Sequence, residues 1–91
     1  MDAKQQLALM DKIIRELDDL KNSQTSVLKK ITQIEADNIN LGNSLLENQL
    51  PEIHSKADET LNTATQLVEE FTAVKDKFIK DNKLDELPPE V

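Results

Sequence analysis

An apolar heptad runs from Met10 for five repeats without an insertion. Stepping by seven from Met10 reaches Leu17, Gln24, Ile31, Asn38 and Leu45, here the a row. Three residues beyond each stand Ile13, Leu20, Val27, Ile34, Leu41 and Asn48, the d row. Nine of these twelve positions are apolar, and that spacing makes a helix pack lengthwise against another helix. A third row, Leu7, Ile14 and Leu28 at e, widens the stripe at the N-terminal end. A stripe that broad suits a helix with two neighbours. It narrows where Glu35 and Gly42 occupy the same row.

The lack of turn material argues against a many-stranded β fold, since the chain has one glycine and three prolines in 91 residues. Asp2 followed by Gln5 forms a capping box, so the first helix is expected from about residue 3. The run Asn22-Ser23-Gln24-Thr25-Ser26 is its weak point, because these side chains compete for backbone hydrogen bonds. The heptad register survives the run, which favours one continuous helix to residue 41 or 48. A break within 22–26 would give a three-helix bundle instead.

Gly42 is the first stop signal and Pro51 the second. The reversal is therefore expected within 42–51, with a second helix over about 51–82 and Leu45, Leu46 and Leu50 capping the hairpin end. Along that second helix, Leu67, Phe71, Val74 and Phe78 form a bulky half-stripe that would meet the bulky N-terminal half of the first. The expected fold is all-α: a single long antiparallel helical hairpin, coiled-coil-like, over 1–82. Pro88-Pro89 ends any helix, so 83–91 is expected as an extended tail.

The composition removes most chemistries. Without cysteine there is no disulfide, thiolate nucleophile or thiolate metal site. A net charge of −7, with only two aromatics, suits neither a phosphate backbone nor an anionic membrane surface. Apolar runs are too short to span a bilayer, and the acidic N-terminus does not read as a leader. A cytoplasmic chain, or one secreted without a cleaved signal, is expected. His54 is the only histidine and is expected to face solvent at a helix start, with Asp58 one turn away. Adjacent acids such as Asp18-Asp19 and Glu69-Glu70 point about 100° apart on a helix and do not converge. Asp11 with Arg15, Glu52 with Lys56 and Asp76 with Lys80 read as i,i+4 ion pairs. No catalytic, cofactor-binding or metal-ligating set is read here, and no small-molecule substrate.

In outline the chain resembles the small hairpin proteins of the type VII secretion pathway: short, acidic, with a glycine near the middle. That family's turn carries Trp-x-Gly. Here Asn40-Leu41-Gly42 supplies the glycine without the tryptophan. Its C-terminal aromatic-x-x-x-acid signal is also absent, since Phe78 is followed by Asn82 and Phe71 by Lys75. The chain is equally similar to subunits of eukaryotic coiled-coil assemblies. The first resemblance implies a secretion partner or targeting chaperone, and the second a structural or adaptor subunit.

The residue pattern itself points to a non-enzymatic protein–protein interaction module, acting on a protein partner or on itself through helix packing. An acidic inhibitor of a basic target is a further alternative. The expected core and partner seam comprises Met10, Ile13, Leu17, Leu20, Val27, Ile31 and Ile34, then Asn38 and Leu41. On the second helix it comprises Leu67, Phe71, Val74 and Phe78. Gln24 and Asn38, as polar a residues, are candidates for fixing register and partner choice.

Overall fold

A computed structural model describes residues 1–84 of the chain. Within them the chain forms two long antiparallel helices, α1 (Ala3–Leu41) and α2 (Ser44–Asp81). The result is a rod of 65 × 22 × 19 Å with a radius of gyration of 20.2 Å. A compact domain of this length would have a radius near about 12 Å. The elongation matters because each helix has only one neighbour to bury it.

The N-terminus of α1 is closed by the capping box that Asp2 and Gln5 form. The Gln5 amide donates to the Asp2 carboxylate at 2.8 Å, and the Asp2 amide donates to Gln5 Oε1 at 3.0 Å. α1 then runs unbroken through 22–26, so no three-helix bundle forms. The polar side chains there bond back into the helix: Thr25 donates to the Lys21 carbonyl and Ser26 to that of Asn22. Such back-bonding satisfies the hydroxyls without taking a backbone group away from the helix.

The reversal is tighter than the 42–51 window suggested. Gly42 ends α1 in the left-handed conformation (φ 69°, ψ 30°), its amide bonded to the Asn38 carbonyl at 2.7 Å. Asn43 begins α2 as N-cap, its side chain accepting from the Leu46 amide at 3.1 Å. α2 therefore starts at Ser44, seven residues before Pro51, and Pro51 sits inside the helix. Proline there removes the N–H that the Glu47 carbonyl would accept. The two caps at the turn supply what a first-turn proline was expected to supply. Of the three leucines expected to cap the end, Leu50 is buried, Leu46 partly so, and Leu45 is exposed.

At the other end Asn82 caps α2, its side chain donating to the Phe78 carbonyl at 2.9 Å. Lys83 takes a positive φ of 55° just beyond. The expected extended tail at 83–91 falls, from residue 85 onward, outside the described residues.

Candidate functional site: an apolar face beside the seam

The buried apolar residues of the hairpin are Ile31 on α1 and Leu50, Ala57 and Ala64 on α2. They share heptad rows with Met10 and Leu17, and with Phe71 and Phe78, which are part-buried. The other half of the seam is the e row of α1 (Leu7, Ile14, Leu28), and on α2 Leu61 and Val68. The helices thus meet through a and e, where a and d were expected. Small Ala57 and Ala64 sit in this seam, and the Gln24 amide reaches the Ala57 carbonyl at 3.2 Å. One expected polar a residue is therefore used on the backbone of the neighbouring helix.

Asn38, the other, is 8% exposed, and its side chain is spent on the turn. Its Nδ2 donates to the Asn43 carbonyl at 3.2 Å and its Oδ1 accepts from the Asn43 amide at 3.0 Å. It holds the two helices together at the reversal.

Two polar contacts that the chain's local patterns did not suggest cross the seam. His54 Nδ1 donates to Glu35 Oε1 at 2.7 Å, where a solvent-facing histidine near Asp58 was expected. Asp11 pairs with Lys75 of α2 in place of Arg15. Glu52 does pair with Lys56, while Lys77 pairs with Asp81. The interhelical contacts depend on the rotation of one helix against the other, which spacing along one helix does not encode. A signal was present all the same: Glu35 at e and His54 at α2's equivalent row are polar residues in rows that also hold Leu28 and Leu61.

The d row is left outside the seam. It lies about 80° around α1 from the line to α2, because three residues of helix turn through about 300°. Leu20, Val27 and Ile34 are consequently between 43% and 50% exposed, and Leu41 is exposed beside the turn. Ile13, in the same row, is part-buried. The matching row of α2 contains Ile53, Leu67 and Val74, between 45% and 51% exposed. Of the expected seam, then, Met10, Leu17, Ile31, Asn38, Phe71 and Phe78 lie between the helices. Leu20, Val27, Ile34, Leu41, Leu67 and Val74 lie outside it.

These two outer rows share one face of the hairpin. In an antiparallel pair of right-handed helices, rows displaced in the same rotational sense from the seam point the same way. Leu20 of α1 and Thr60 and Leu67 of α2 accordingly line a common groove. The antiparallel register sets Leu20 level with Leu67, and by heptad steps Ile13 with Val74 and Ile34 with Ile53. The reverse face carries Thr25 and Thr32 from α1 and Thr65 and Thr72 from α2, with exposed Ile39 and part-buried Ile79 in the same two rows.

Among the described residues no group of three or more His, Asp or Glu side chains could hold a metal ion. No helix among them is long and apolar enough to cross a membrane. The arrangement defines a class by shape: an antiparallel helical hairpin with an apolar strip along one face. No protein-family model, curated protein or solved structure matches the chain.

Proposed function

We propose that the chain is a non-enzymatic protein–protein interaction module, a coiled-coil subunit or adaptor, that docks through its d-row face. The supporting observation is the clustering of half-exposed Leu20, Val27, Ile34, Ile53, Leu67 and Val74 on one side of the rod. Single exposed apolar residues are ordinary on a protein surface, whereas a contiguous strip rimmed by polar residues marks an interaction site. A cover of one further helix or helix pair would bury the strip and complete the broad stripe of α1.

The test is the double substitution Leu20→Asp with Leu67→Asp. Both side chains are half exposed outside the seam, so helicity by circular dichroism should stay near that of the parent. Association, with itself or with a protein recovered from the native source, should be lost. Undiminished association in the variant would refute the reading.

A further inference from the structure

We infer that the occupant of the apolar face is a second copy of this chain, packed face to face about a two-fold axis perpendicular to the helices. This rests on the interaction-module reading above and adds the partner and its orientation.

The first argument is charge. The outer rims of the face carry Glu16, Lys30 and Asp37 from α1, and Lys56, Glu70 and Lys77 from α2, all exposed. With Glu59, which lines the groove beside Leu20 and Leu67, these are four acids and three bases, against fifteen acids and eleven bases over residues 1–84. Most of the acidic excess of residues 1–84 therefore lies off the face, where it would not oppose the approach of an identical copy. A strongly basic partner would find a net of only one acid on this face to complement.

The second argument is area. From Ile13 to Ile34 the strip is about 30 Å long. The rod is 22 Å across. The face therefore covers about 600 Å² per copy, and a pair of copies reaches the lower edge of standard interfaces. Such a pair is a four-helix bundle with antiparallel neighbours throughout.

The third argument is the pattern of rim charges, which separates the two possible two-folds. If the axis ran along the helices, α1 would lie on the other copy's α2, with Glu16 near Glu70 and Lys30 near Lys56. Both encounters are repulsive. If the axis lies across the helices, each helix packs on its own counterpart in antiparallel sense. Superposing the strip on itself then matches Ile13 with Ile34, and Leu20 with Val27. The same register sets Glu16 near Lys30 and Lys56 near Glu70, each pair occurring twice by symmetry. Lys56 also contacts Glu52 on its own helix, but both side chains are more than 60% exposed and free to reorient.

The chain has no cysteine, so a single introduced thiol reports on this geometry directly. Ser23 and Thr63 are the rim residues nearest the proposed axis, each close to its own copy. The full chain should scatter light at twice its 10.3 kDa mass at about 100 µM. Ser23→Cys alone and Thr63→Cys alone should each give a covalent dimer on mild oxidation, and Asp19→Cys on the outer back of α1 should not. Glu16→Lys or Lys30→Glu should each weaken dimerisation about tenfold, and the two together should restore it to within about threefold.

A dimer that cross-links only when Ser23→Cys is mixed with Thr63→Cys would overturn the proposed orientation. A monomer at that concentration would overturn the second copy as occupant. The interaction-module reading fails separately, if Leu20→Asp with Leu67→Asp leaves every association intact.

Discussion

Asn38 clasps Asn43 at both backbone groups, its amide nitrogen on the carbonyl and its amide oxygen on the N–H. Five residues apart, the two bracket Gly42 and tie the last turn of α1 to the first residue before α2. The Asn43 side chain meanwhile caps α2 at Leu46. One asparagine closes the reversal and the other starts the next helix.

Replacing Asn38 by leucine should therefore destabilise the chain, the opposite of what an apolar substitution at a polar a position between helices would do. It strips the Asn43 N–H of its partner in a part-buried turn, at a cost of about 1–3 kcal/mol. Urea denaturation checks this, and a more stable Asn38→Leu variant would show that the clasp contributes nothing.

Gly42 lies in the left-handed region with open space where a Cβ would stand. Gly42→Ala should thus lose about 1–2 kcal/mol through backbone strain alone, with no steric clash to add. Gly42→Asn should lose less, since asparagine tolerates that region better. Thermal melts of the two variants give the comparison.

Ile31 and Ile34 are three residues apart, yet they differ as 6% against 45% exposed. Ile31→Ala should cost about 2–4 kcal/mol at any protein concentration, because it opens a cavity inside one hairpin. Ile34→Ala should cost under about 1 kcal/mol in dilute protein and more as concentration rises, because in the proposed dimer a second copy buries it. Melting both variants over a hundredfold range of concentration separates the two behaviours.

Pro51 stands within α2 and leaves the Glu47 carbonyl without its helical donor. Pro51→Ala should restore that bond and raise stability by about 1–3 kcal/mol, read as a higher melting temperature. A lower one would mean that the stiffness of proline near the turn outweighs the missing bond.

Much of this architecture is written along the chain. The heptad of Met10 to Asn48, the Asp2–Gln5 capping box and the scarcity of turn residues determine two long helices and a reversal near Gly42. These are local properties: periodicity, capping and backbone freedom act within a few residues of each other. Even the continuity through 22–26 follows, since an unbroken register and back-bonding hydroxyls need no tertiary partner.

Which rows meet was decided only by the assembled hairpin. The periodicity of α1 defines three adjacent rows, and a single neighbouring helix covers two of them. The two-residue turn, with Asn38 clasping Asn43, sets the rotation at which α2 departs, and contacts such as Glu35 with His54 fit that rotation. The a and e rows were buried as a result, and Leu20, Val27 and Ile34 were turned outward. A heptad specifies that a stripe exists. The angle between two helices, a property of neither alone, specifies which part of it stays open.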